Sequence, residues 1–275
     1  MCHIGLTNER TDNNNKDGKM IRVIFNRKGG VGKSTITCNL AAISAACGKR
    51  TLVIDLDAQA NSSDHLLGNS FMQSMQGVTD LLEQSLSFKL VNKEAALFVH
   101  PTRWDNLFVM PASDRLGELQ TKLENKHKIY KLRDAVQKLA EHYDNIYIDT
   151  PPAINIYTIS ALIAADSCLI PFDCDDFSRQ ALYAVRDFID EVKNDHNDKL
   201  FIEGVVINQF QSRAKLPAQM VEELKREGLP VIDAFLSSSI KVRESHELKL
   251  PMVHMDPGHK LTLEFQELYS ELDEA

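Results

Sequence analysis

From residue 21 onward, short β-branched runs alternate with longer stretches in which apolar residues return every three or four positions. The short runs, at 21–25, 51–55, 107–110, 145–149, 167–171, 204–208 and 231–235, predict strands. Several are apolar at consecutive positions, the pattern of strands covered on both faces in a parallel sheet. The longer stretches predict helices. Residues 33–47 are Ala-rich, with Ile36, Leu40 and Ile43 near one face. Residues 131–143 place Leu132, Val136 and Leu139 at i, i+4 and i+7, and 179–193 repeat the spacing with Leu182, Val185, Ile189 and Val192. Residues 217–227 carry Met220, Val221 and Leu224, and Gly228-Leu229-Pro230 stops them. Strand–helix alternation over about 250 residues predicts an α/β fold with a doubly wound, mostly parallel central sheet flanked by helices. Residues 21–275 form this one domain, and residues 1–20 are a polar, Asn-rich flexible arm with too few apolar residues to fold alone. Ligands of such sheets bind beyond the carboxyl ends of the strands.

Composition narrows the class only a little. Of 275 residues, 43% are hydrophobic and 25% charged, the balance of an ordinary globular protein. Lys plus Arg number 31 against 39 Asp plus Glu, a formal net charge of −8, which excludes a globally basic DNA binder but not a local basic patch. No apolar run approaches the roughly 20 residues that span a bilayer, and the arm has no apolar core of a secretory signal. Cys2, Cys38, Cys47, Cys168 and Cys174 include no C-x-x-C pair, so they read as reduced thiols of a cytoplasmic protein.

The first strand runs into Asn26-Arg27-Lys28-Gly29-Gly30-Val31-Gly32-Lys33-Ser34-Thr35 and then into the Ala-rich helix. Glycines suit a backbone that must bend sharply and bring its N–H groups against phosphate oxygens. The helix N-terminus adds partial positive charge. In this pattern Lys33 reaches the β- and γ-phosphates, and the Ser34 hydroxyl is a Mg²⁺ ligand. Arg27 stands where the common phosphate loop has its first glycine, and Lys28 adds a second lysine. The run Lys-Gly-Gly-Val-Gly-Lys-Ser-Thr resembles the deviant Walker A loop of the ParA/MinD family of dimeric P-loop ATPases. That resemblance implies ATP and Mg²⁺ as cofactors, held by Lys28, Gly29, Gly30, Val31, Gly32, Lys33, Ser34 and Thr35. It also implies a homodimer when ATP is bound, in which Lys28 crosses to the partner's phosphates as a cation supplied in trans.

Other strand ends carry carboxylates. Asp55-Leu56-Asp57-Ala58-Gln59-Ala60-Asn61 resembles the family's V-D-x-D-x-Q-x-N segment, which assigns Asp57 to orienting the attacking water and Asp55 to a supporting place near the metal. Without the resemblance, two acids end a strand beside a phosphate site, and salt-bridge or turn roles stay open. Asn145-Ile146-Tyr147-Ile148-Asp149 is an apolar strand ending in an acid able to hold Mg²⁺ through water. With Thr150-Pro151-Pro152 it matches the family's switch II. Asp144 reads as a surface turn residue. Asn208 closes a later strand; the family often reads adenine there, an amide can donate and accept together, and a plain turn residue is the equal alternative. Leu236-Ser237 replaces the family's usual Ile-Pro. Asp173-Cys174-Asp175-Asp176 reads as a loop, and the His254 to His259 run as a turn with too few metal ligands.

The resemblance extends from residue 21 to about 272, through Ile159-Ser160-Ala161-Leu162-Ile163-Ala164-Ala165-Asp166 and Ile240-Lys241-Val242-Arg243-Glu244-Ser245, the latter similar to the V-R-L-S-E-A segment of ParA-type partition ATPases. It implies a weak, partner-stimulated ATPase near the nucleoid in the cytoplasm. The ATP dimer would coat DNA without sequence preference, and a ParB-like adaptor would release it, so positioning a plasmid, chromosome region or other cargo. Arg213, Lys215, Lys225, Arg226, Lys241 and Arg243 are the candidate DNA contacts. The acidic end, with Glu264, Glu267, Glu271, Asp273 and Glu274, would be repelled by an anionic leaflet, so no membrane partner is expected. An arm of about 20 residues is too short for a helix-turn-helix domain. The alternative is an ATP-gated dimer that binds a protein partner and not DNA.

Overall fold

The computed structural model describes residues 19–86, 92–173, 178–210 and 215–274. Its seven strands are β1 (Met20–Ile24), β2 (Thr51–Asp55), β3 (His100–Pro101), β4 (Leu107–Met110), β5 (Asn145–Asp149), β6 (Ser167–Asp173) and β7 (Phe201–Asn208). They form one sheet in the order β3-β4-β2-β5-β1-β6-β7. Every pairing is parallel except that of the two-residue edge strand β3 with β4. The helices among the described residues are α1 (Lys33–Ala46), α2 (Asn61–Leu67), α3 (Val78–Gln84), α4 (Leu116–Asn125), α5 (Lys131–Leu139), α6 (Ile156–Ala164), α7 (Ser178–His196), α8 (Lys215–Arg226), α9 (Lys241–Leu248), α10 (Met252–Met255) and α11 (Lys260–Asp273).

Consecutive strand residues feed opposite cores. Leu52 and Ile54 join Ile146, Ile148 and the helices α4 to α8 on one face. Val53 and Tyr147 join Ile36, Leu40 and Phe265 on the other. All five residues of β2 are buried, which is why its run lacks alternation. Helix α11 lays Leu261, Phe265, Leu268 and Leu272 into the second core, so its apolar face is spent inside the protein. No described helix is long and apolar enough to cross a membrane.

The segment 231–235 does not form the predicted strand. The chain here meets β7 at two separate places: Val205 N–H donates to Pro230 O at 2.8 Å and Val205 O accepts from Ile232 N–H at 3.1 Å, and Ile207 O accepts from Leu236 N–H at 2.9 Å. One chain advances four residues while the other advances two, so no continuous ladder can form. Ile232 also fills the space over Gly204, where a Cβ would lie 2.3 Å from its Cδ1.

In register, Ile24 and Asp55 both lie beside Asp149. The ends of β1, β2 and β5 therefore open at one place, and Thr150 Oγ1 ties that edge by donating to Ile24 O at 2.7 Å.

Candidate functional site

The loop after β1 is fixed before its glycines begin. Asn26 donates to Pro171 O at 2.7 Å and accepts from Lys28 N–H at 2.9 Å, so one buried amide joins the end of β6 to the first lysine. Gly30 and Gly32 have φ of 76° and 89°, the left-handed region that side chains resist. From the far side, Asn208 Nδ2 donates to Val31 O at 2.9 Å and Gln209 Nε2 to Gly30 O at 3.3 Å. With those carbonyls held, the loop amides at the N-terminus of α1 are left for an anion. Gly29 and Gly30 are exposed, so the cradle opens to solvent. Gly29 lies against Pro152: a Cβ there would be 3.9 Å from the proline Cβ.

The two lysines take different places. Lys33 folds inward, buried, with Nζ donating to Lys28 O at 3.0 Å across the mouth of the loop. Burial lowers its pKa, while Asp149 and Asp57 oppose the shift and mark how near those acids are. Lys28 is part-exposed, and its Nζ lies 3.9 Å from Asp173 Oδ2.

The acids differ in a way their spacing does not show. Asp55, fully buried, has both oxygens engaged: Oδ1 accepts from Asp57 N–H at 3.0 Å, and Oδ2 from Ser63 N–H at 2.9 Å and Ser63 Oγ at 2.7 Å. It holds the chain between β2 and α2, which leaves it little to offer a metal. Asp149 is equally buried, yet only Oδ2 is bonded, by Ser62 Oγ at 2.6 Å, and Oδ1 has no partner. Burial pushes both carboxyls above their usual range, each raised further by a neighbouring carboxylate, while the Ser34 and Ser62 hydroxyls pull Asp149 back. An orphaned buried oxygen beside a lysine and a loop serine fits a divalent cation that keeps most of its waters. Asp57 is half-buried and accepts Gln59 N–H at 3.0 Å, a turn contact on the lip of the same site. Asp144 accepts Arg50 N–H at 2.7 Å, in keeping with its turn reading.

Sequence reasoning missed Asn26, Gln209, Ser62, Ser63 and His246. The last reaches Thr35 Oγ1 with its Nε2 at 3.0 Å, joining α9 to the phosphate loop. No local signal marks any of them. The candidate basic residues are less gathered than expected. Arg213 lies outside the described residues, as does the side chain of Lys215, which opens α8. Lys225 pairs with Asp233, and Lys241 with Glu244 at 2.7 Å. Arg226 and Arg243 are exposed. Cys174, Asp175 and Asp176 also lie outside the described residues. His259 caps α11 by accepting Leu261 N–H at 3.1 Å, and His254 stacks on Trp104 with ring centroids 4.9 Å apart. Among the described residues, no group of three or more His, Cys, Asp or Glu side chains is arranged to hold a metal.

A parallel sheet whose first strand feeds a left-handed glycine loop, an inward lysine and a helix N-terminus, with a buried acid ending the adjacent strand, defines a P-loop nucleotide-binding protein. The family described as "AAA domain" matches residues 18–202. Chromosome partitioning protein ParA of Myxococcus xanthus is 37% identical over 203 residues, covering 74% of this chain and 69% of that protein. Sporulation initiation inhibitor protein Soj of Bacillus subtilis is 31% identical over 242 residues, covering 87% and 92%. The septum site-determining protein MinD of Pyrococcus horikoshii, solved with Mg-ADP, superposes with a TM-score of 0.75 at 21% identity over 93% of this chain and 96% of that one. The chain belongs to the ParA/MinD family of P-loop ATPases, and within it to the partition type.

Proposed function

We propose that this ATPase is a dimeric nucleotide switch whose ATP-bound form holds DNA without sequence preference and carries a cargo until a ParB-like adaptor stimulates slow hydrolysis. The nucleoid in the cytoplasm would be its working place. The observation that carries the reading is the bond between Thr35 and His246. It joins the phosphate loop to α9, the helix bearing Lys241 and Arg243. Nucleotide in the loop and the attitude of the helix that bears these two cations then share one contact.

The residues divide the work as follows. The amides from Gly29 to Thr35 and the Lys33 ammonium bind and orient the phosphates. Ser34 and the bare Oδ1 of Asp149 would hold Mg²⁺, which neutralises charge on the β- and γ-oxygens when bound. Asp57, on the lip, orients the attacking water. Lys28, which stands outward, supplies its charge to the second subunit's phosphates and so makes ATP part of the dimer interface. Asn208 would have two uses, the bond that holds Val31 O and, by the family resemblance, a contact to adenine. That MinD was crystallised with Mg-ADP supports ATP and Mg²⁺ as the ligands here.

A net charge of −8 and the pairing of Lys225 and Lys241 with acids favour a second reading, a regulator that binds a protein partner and not DNA. Retention of random-sequence duplex DNA, with ATP and with ADP across a salt series, separates the two. DNA held with ATP alone is expected, with log affinity falling linearly in log salt. Replacing Arg213, Lys241 and Arg243 together by Glu should abolish retention and flatten the slope while sparing nucleotide binding. An ATP dimer that ignores DNA at about 50 mM salt would leave the protein-partner regulator.

A further inference from the structure

We infer that Ser62 is a positioning residue for the metal carboxylate: by donating to one oxygen of Asp149 it turns the other toward the Mg²⁺ place and couples that place to α2. The inference rests on the nucleotide reading above. Asp149 ends β5 with no solvent contact and no backbone donor on its carboxylate, and the Ser62 hydroxyl holds its Oδ2 at 2.6 Å and so fixes its rotation. At 2.6 Å this is a short, charge-assisted contact with a donor that is itself fully buried. Because Oδ2 is occupied, Oδ1 is the oxygen left bare, without a partner of its own.

The donor's place in the chain gives the bond a second consequence. Ser62 sits in the first turn of α2, five residues after Asp57. Between them the backbone is closed by Ala60 N–H to Asp57 O at 2.9 Å and by Gln59 N–H to Asp57 Oδ1 at 3.0 Å. A short, internally bonded segment thus runs from the water-orienting acid to the hydroxyl that holds the metal acid. The next residue, Ser63, makes the analogous bond to Asp55 and accepts Ala112 N–H at 3.0 Å. Since Asp55 has no bare oxygen, Ser63 holds the fold of the segment, whereas Ser62 orients a ligand. Removing groups that orient metal ligands typically costs about 10- to 100-fold in metal affinity.

The test uses the full chain and a fluorescent ADP analogue, with dissociation constants measured in excess Mg²⁺ and in EDTA. Their ratio reports what the metal adds and requires no turnover. In Ser62→Ala the EDTA constant should match that of the wild type, because Lys33 and the loop amides are untouched, and the ratio should fall about 10- to 100-fold. Ser62→Cys, near in shape and a weak donor, should fall between, and it gives the same reading should the alanine variant not fold. Ser63→Ala should lower the melting temperature but leave the ratio alone. An unchanged ratio in both Ser62 variants would overturn the inference. So would an equal fall in Ser63→Ala, which would mean that loosening α2 is enough. A wild-type ratio of one would remove the Mg²⁺ reading itself, and this inference with it.

Discussion

Gly32→Ala tests whether the left-handed turn of the loop is what makes it a phosphate site. Gly32 caps α1 with φ of 89°, where an L-residue costs about 1–2 kcal/mol. The added Cβ would also stand 2.3 Å from Asn208 Nδ2, so that amide must leave its 2.9 Å bond to Val31 O. Losing that bond adds about 0.5–1.5 kcal/mol. Together these terms predict a loss of nucleotide affinity of roughly 10- to 300-fold, because binding must first restore the strained loop. The two contributions separate in a double-mutant cycle with Asn208→Ala. Whatever Asn208 gives to the nucleotide directly cancels when Gly32→Ala is compared in the two backgrounds. With the amide gone only the backbone term remains, so the penalty should shrink to about 5- to 30-fold. Titration of a fluorescent ADP analogue in EDTA reads all four proteins. An equal penalty in both backgrounds would refute the steric contact. No penalty in either would refute the need for the left-handed glycine.

Lys28→Ala should bind nucleotide through Lys33 and Ser34 yet fail to form the ATP dimer, since two facing triphosphates repel unless a cation intervenes; an unimpaired dimer by sedimentation with ATP would remove the role in trans. The pH dependence of stability follows from the buried acids. Asp55 and Asp149 are raised in the fold by burial, so the stability they lend is full below about pH 4 and is lost as pH rises through their higher folded values. His65, buried neutral and lowered to about 3, acts oppositely, its contribution being present above its unfolded pKa and lost as pH falls toward its folded one. The nucleotide-free protein should therefore melt lower at about pH 8 than at about pH 6, and Mg-ADP, which needs ionised carboxylates, should raise the melting temperature more at the higher pH. A larger Mg-ADP shift at the lower pH would contradict this.

Much of the site was legible because its parts are neighbours in the chain. Residues 24–35 carry strand end, turn, lysine and helix start within covalent reach, so the glycines and Lys33 announce the loop without help from elsewhere. The central strands were legible for a related reason, since burial on both faces leaves unbroken apolar runs such as 52–54 and 146–148. The segment 231–235 carried the same apolar signal and did not join the sheet, because strand pairing depends on how many residues lie between contacts, which composition does not record.

What the sequence by itself determined is the kind of ligand: a glycine loop with two lysines, and acids at the ends of apolar strands, suit a metal-bound polyphosphate. The tertiary structure decided which acid keeps an oxygen without a partner. Asp55 and Asp149 are alike in the chain, each closing a buried strand, yet one has both oxygens engaged and the other keeps one bare. The difference comes from Ser62 and Ser63 at the start of α2, one reaching Asp149 from 87 positions away. The same is true of Asn208, bound to Val31 across 177 positions. A serine or an asparagine suits a turn as well as a long-range bond, so its identity carries no signal of its partner. Only the strand order, which sets β5 between β2 and β1 and brings the end of β7 to the loop, chooses between the two.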